Sequence, residues 1–191
     1  QARRRGRGRV RWHHLAAATL MALVYIGLGS NQDAERNLRA AVAGLGALLG
    51  PLRLSSVYRS AAVGFDGPPF LNLVAEADTN LSIEALAAAL RAIETALGRV
   101  RGIDAAHSSH SADLDLLLYD DCICDQPLQL PRAEITRNAF VLWPLAELAG
   151  ERIHPLTGQS YSQLWQQYDK RQQQLEPLAF DWSPPVLSTH H

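Results

Sequence analysis

The chain has 191 residues, 47% of them hydrophobic and 19% charged, which suits one globular domain with its own core and excludes a disordered or low-complexity protein. Of its 18 Lys+Arg and 19 Asp+Glu, six arginines and no acid fall in residues 1–20, leaving 12 basic against 19 acidic side chains in the body. An acidic body is a poor match for a protein that reads nucleic acid, and no apolar run is long enough to span a membrane.

Residues 1–20 pair a basic start with the apolar run at 15–20, the outline of a signal peptide. That run continues into Leu23-Val24-Tyr25-Ile26-Gly27-Leu28, which reads as a buried first strand, and Met21 is the single methionine. The expected organisation is a basic extension over 1–20, a working domain over 21–175 and a loose tail over 176–191. Gly27 and Gly29 do not form a dinucleotide fingerprint, because Gln32 stands where a third glycine belongs. They read instead as residues that let the backbone turn after strand one. Asn31 or Asp33 would then cap a helix carrying Leu38, Val42, Leu45 and Leu49, stopped by Gly50-Pro51.

Residues 52–62 predict a second strand, 63–69 a loop, and 70–77 a third strand with Phe70, Asn72 and Val74 on one face. Ser82 caps a second helix bearing Leu86, Leu90, Ile93 and Leu97, closed by Gly98. A polar His/Ser loop leads to a strand at 113–119. The order βαββαβ predicts a ferredoxin-like α+β fold, an antiparallel sheet with both helices on one face. Beyond it, a hairpin around Asp120-Asp121, a loop containing Pro131, and helices near 142–148 and 160–174 are expected. Cys122 and Cys124, at i and i+2, support neither a disulfide framework nor a zinc site. A reducing, cytoplasmic setting follows.

In the last strand, period-two alternation puts Asp113, Asp115, Leu117 and Tyr119 on one face and Leu114, Leu116 and Leu118 on the other. The two carboxylates would stand roughly 7 Å apart. They repel unless a cation sits between them, and a hard divalent ion such as Mg²⁺ meets that need. A solvated strand end is the plainer reading of the same two residues.

Gly29-Ser30-Asn31, Phe70-Leu71-Asn72, Gly98-Arg99-Val100-Arg101, Asp113-Leu114-Asp115 and Phe140-Val141-Leu142-Trp143-Pro144-Leu145 stand in order along the chain. This series resembles the 6-hydroxymethyl-7,8-dihydropterin pyrophosphokinases of folate biosynthesis over about residues 22–170. The resemblance implies transfer of pyrophosphate from ATP to a reduced pterin, releasing AMP. It implies that Asp113 and Asp115 hold two Mg²⁺ ions and that Arg99 and Arg101 reach the phosphates. Asn72 would hydrogen-bond the pterin's amide-like edge, with Phe70 and Phe140 sandwiching its ring and the backbone around Ser60 and Val63 completing the pocket. Core packing is the alternative for both Phe side chains. Glu94, Arg101, His110, Leu116, Arg132 and Arg137 would meet the nucleotide. A monomer acting on small molecules, with no nucleic-acid or membrane partner, is the expected state.

The chain departs from the family pattern in the loop before Asp113. His107 lies near the position of a family Trp, and His110 stands where a phosphate-binding Arg is usual. Arg132 replaces a family His, and Arg137 and Asn138 lie near a family Arg that precedes Phe140. Arg132 and Arg137 are read as compensating cations, and the altered phosphate-binding loop implies a slow enzyme or a dead one. The alternatives are a relative that binds pterin or nucleotide without transfer, and an accessory role for the Arg-rich N-terminus.

Overall fold

The computed structural model describes residues 21–62, 67–98 and 112–183. The sheet is built on β1 (Ala22–Ser30), whose apolar run lies along the middle of the molecule. It is followed by α1 (Ala34–Leu49), β2 (Arg53–Leu54), β3 (Val57–Ser60), β4 (Phe70–Thr79), α2 (Ile83–Ala96) and β5 (Asp113–Tyr119). The C-terminal part adds α3 (Glu134–Arg137), α4 (Ala139–Ala149), α5 (Tyr161–Gln167) and β6 (Leu175–Leu178). Strand order is β5-β1-β4-β3-β6, with β2 also pairing β4. Every recorded pairing is antiparallel. This is the ferredoxin-like α+β architecture that the element order implies.

Each face of the sheet has its own core. Leu38 and Leu45 of α1 and Leu86 and Leu90 of α2 pack on Ile26, Leu73 and Leu116. Leu142 and Leu145 of α4 and Tyr161 of α5 pack on Tyr25, Val74 and Leu117 of the other face. Helices therefore cover both faces, the first two on one side and the C-terminal ones on the other. Trp143 stacks on Trp165 at 4.8 Å and lies 4.7 Å from Tyr58, tying α4 to α5 and to β3.

Several local expectations are corrected. Gly27 and Gly29 do not turn the chain, since β1 runs on through Ser30 and both are paired on either side. Asp33 precedes α1 in a left-handed conformation (φ 40°) and its side chain makes no capping bond. Ser82 does cap α2, accepting from the Ala85 N–H. The second strand is broken at Ser55-Ser56, where one extra residue enters opposite β4. The hairpin expected at Asp120-Asp121 is a turn followed by one isolated bridge, Cys124–Leu130. The last helix stops at Gln167, and β6 carries the sheet to Leu178, past the boundary expected at 175.

β5 contains a bulge that the alternation rule misses. Leu118 pairs Tyr25 and Leu116 pairs Ile26, so Leu117 is the extra residue. The strand changes phase there. Leu118 joins Leu117 under α4, and Tyr119 turns to the α1/α2 side, the reverse of the simple reading. No helix of the described residues is long and apolar enough to cross a membrane.

Candidate active site

The site begins with two missing side chains. Across the sheet, Asp113 pairs Gly29, which pairs Asn72, while Asp115 pairs Gly27, which pairs Val74. With no side chain at 27 or 29, a hollow opens between the carboxylates of β5 and the amide of β4. It is a cavity of about 370 Å³, floored by Gly27 and Gly29 and walled by Asn72, Asp113, Asp115 and Phe140. A Cβ on Gly29 would stand 3.3 Å from Asn72 Oδ1, and one on Gly27 would stand 3.4 Å from Leu117.

Asn72 is buried, and its Nδ2 donates to Ser60 Oγ at 2.9 Å. Ser60 thus orients the amide from behind, and among the described residues it is not part of the cavity wall. Phe70 is not part of the wall either. Its ring lies beside Gly29, 3.9 Å from where a Cβ would stand. Of the two aromatic residues expected to sandwich a ring, the structure brings only Phe140 to the cavity.

β5 is the edge strand, so its carboxylates are reached from both sides. Along the outer edge lies a second cavity of about 240 Å³, walled by Arg91 and Glu94 of α2, by Leu116 and by Leu128. The two cavities share Asp113, Asp115 and Arg132. Glu94 is buried and its Oε1 accepts from the Leu114 N–H at 2.9 Å. That N–H faces outward from an edge strand, and the contact pins the backbone between the two aspartates. Further along the edge, the Arg132 N–H donates to the Leu117 carbonyl at 3.0 Å. This sets Arg132 beside Asp115, with Nη2 donating to Oδ1 at 2.6 Å.

Burial, followed by the charge of Asp113, pushes the Asp115 carboxyl from 3.8 up to about 6, against the pull of Arg132. Glu134 and Glu94 add to the rise, so Asp115 faces three other carboxylates and one arginine. Among the described residues, no three His, Cys, Asp or Glu side chains gather around one point. The site offers a hard cation two carboxylates and leaves its other positions to oxygens from substrate or water. That donor set suits Mg²⁺, which keeps several waters and binds through one or two carboxylates and phosphate oxygens.

Arg137 does not reach either cavity. It ends α3 with an exposed side chain, and Asn138 lines the larger cavity instead. Val63, Arg99, Arg101 and His110 lie outside the described residues. Sequence reasoning missed Arg91 and Glu134, and it named Asn138 only as standing near a family Arg, not as a wall of the cavity. Arg91 was within reach, since it lies one helical turn before Glu94 on the same face of α2. Glu134 and Asn138 follow a loop whose path no local pattern indicates.

Fold and cleft together define a ferredoxin-like α+β protein with paired carboxylates between two ligand-sized cavities. A family model for 7,8-dihydro-6-hydroxymethylpterin-pyrophosphokinase (HPPK) matches residues 25–150, and the chain belongs to that family. The 2-amino-4-hydroxy-6-hydroxymethyldihydropteridine pyrophosphokinase of Pseudomonas aeruginosa is 41% identical over 131 residues, covering 66% of this chain and 80% of that one. Its namesake from Synechocystis is 36% identical over 148 residues, covering 75% of each. The folic acid synthesis protein fol1 of Pneumocystis carinii is 34% identical over 145 residues, but these cover only 19% of its length. The crystal structure of Plasmodium falciparum HPPK-DHPS has the same fold, with a TM-score of 0.64 at 13% identity, over 80% of this chain and 45% of that one.

Proposed function

We propose that the chain transfers pyrophosphate from ATP to the hydroxymethyl group of 6-hydroxymethyl-7,8-dihydropterin, with Mg²⁺, and releases AMP. The observation that carries this reading is the shared wall. Asp113, Asp115 and Arg132 border both cavities, so ligands in the two would meet at the carboxylates. The larger cavity suits the pterin. Asn72, oriented by Ser60, offers donor and acceptor to its edge, and Phe140 offers a ring face. The smaller one suits the nucleotide, beside Arg91 and Leu116.

Asp113 and Asp115 would hold the cation, which supplies charge neutralisation to the triphosphate when bound. The chain's residues then position the partners. The floor at Gly27 and Gly29 lets the heterocycle lie close to the sheet, bringing its hydroxymethyl oxygen toward the carboxylate edge. That oxygen bonds to the β-phosphorus as the bond to the oxygen bridging the α- and β-phosphorus breaks; the bridging oxygen leaves on AMP, and the hydroxyl proton passes to water. Arg132 offers phosphate contacts on the same edge, and Arg99, Arg101 and His110 are assigned to the phosphates by family resemblance alone. The reading of a relative that binds without transferring draws no support from the described residues.

The test is mass detection of AMP and the pterin diphosphate after mixing the chain with ATP, Mg²⁺ and the pterin. Both products should form together and neither without Mg²⁺. No AMP above background at high protein concentration would overturn the proposal.

A further inference from the structure

Arg132 is set against Asp115 before any ligand arrives. Its backbone bond to Leu117 fixes residue 132 on the strand edge, and Nη2 lies 2.6 Å from Asp115 Oδ1. Its Nε is buried without a hydrogen-bond partner, 3.6 Å from Glu134 Oε2. The guanidinium therefore stands where the two cavities meet, on a carboxylate assigned to the cation. It also keeps a donor that nothing in the described protein satisfies. A bound guanidinium and a divalent ion on the same carboxylate repel each other.

We propose that Arg132 is a counter-ion latch. In the nucleotide-free protein it takes the cation's place on Asp115, and it turns to the phosphate oxygens when a metal–triphosphate enters. This rests on the assignment of Asp113 and Asp115 to the cation. A bare divalent ion must displace the guanidinium and gives it nothing in return. A metal–triphosphate brings oxygens that accept from the planar fork, including its unsatisfied Nε–H. The latch thus makes the site selective for metal already carried on nucleotide over metal alone.

The experiment is a Mn²⁺ titration followed by the electron paramagnetic resonance of free Mn²⁺. It uses the full chain as wild type, Arg132→Gln and Asp115→Asn, without nucleotide and with α,β-methylene ATP. Arg132→Gln should bind Mn²⁺ alone at least about tenfold more tightly than wild type, because one positive charge has left the site. With the analogue present, that gain should shrink. Circular dichroism checks the fold, and Arg132→Met replaces the Gln variant if that one does not fold. Equal Mn²⁺ affinity of wild type and Arg132→Gln without nucleotide would overturn the latch. If Asp115→Asn still abolished uptake with the analogue, the metal assignment would survive that failure. Mn²⁺ uptake unchanged by Asp115→Asn in both states would remove the assignment and the latch together.

Discussion

Asp115 sits in a field that favours its proton. Burial and Asp113 raise its carboxyl to about 6, Arg132 opposes them, and Glu134 and Glu94 add to the rise. A carboxyl whose folded value is raised stabilises the fold fully below its ordinary value of 3.8, and that contribution is lost as pH climbs through about 6. In the metal-free protein, Asp115→Asn should therefore stabilise at pH 8 and change little at pH 4. The gain should be on the order of 1 kcal/mol, since the side chain is 43% exposed and solvent screens much of the conflict. Urea unfolding at the two pH values checks this, and an equal effect at both would contradict it. Cation uptake at the proposed site should have the opposite sign, because it would need the carboxylate. Divalent-ion affinity in the presence of nucleotide should rise from pH 5 to 7 and then level off. Asp113 and Asp115 were legible in the sequence, because two acids alternating with leucines on a strand are conspicuous. Glu94 was legible only as a helix residue near the nucleotide. Its bond to the Leu114 N–H depends on how α2 lies against the strand edge, which no local pattern encodes.

At the scale of elements, β1 makes the cavity by what it lacks. A Gly29→Val change would fill the floor between Asp113 and Asn72. It should abolish measurable pterin binding by calorimetry while nucleotide binding persists. The milder Gly29→Ala places a Cβ 3.3 Å from Asn72 Oδ1 and should weaken pterin binding about tenfold by displacing the amide. Unaltered pterin affinity in both variants would remove the cavity from the account. Helix periodicity was readable because Leu38, Leu45, Leu86 and Leu90 recur at the spacing of one buried face. The glycines were misread as a turn because their role comes from neighbours 43 and 88 residues away (Gly29 with Asn72, Gly27 with Asp115). The Leu117 bulge escaped notice for the same reason, since a phase change in β5 is visible only against β1. α5 carries a complete capping box between Ser160 and Gln163. Ser160→Ala should cost about 1 kcal/mol in urea unfolding, and no change would mean that the box does not hold the helix.

The whole molecule ties its C-terminal end back to the site. β6 pairs β3 from Leu178↔Val57 to Leu175↔Ser60, and Ser60 orients Asn72. Farther on, the Asp181 carbonyl accepts from Arg39 Nε, and the Arg39 guanidinium lies 4.9 Å from the centre of the Phe180 ring. The sequence gives this region little strand signal, because Leu175-Glu176-Pro177-Leu178 is short and holds a proline, which only an edge strand tolerates. Removing residues 175–191 should lower the melting temperature and weaken pterin binding more than nucleotide binding, and an unchanged melting temperature would contradict this link. The central claim is that two aspartates on the sheet edge hold the cation between pterin and triphosphate. The most direct measurement is the rate of AMP formation by Asp113→Ala and Asp115→Ala, with circular dichroism of each. The account predicts a loss on the order of 10³ in both, with native spectra. Transfer at near wild-type rate by either folded variant would contradict it.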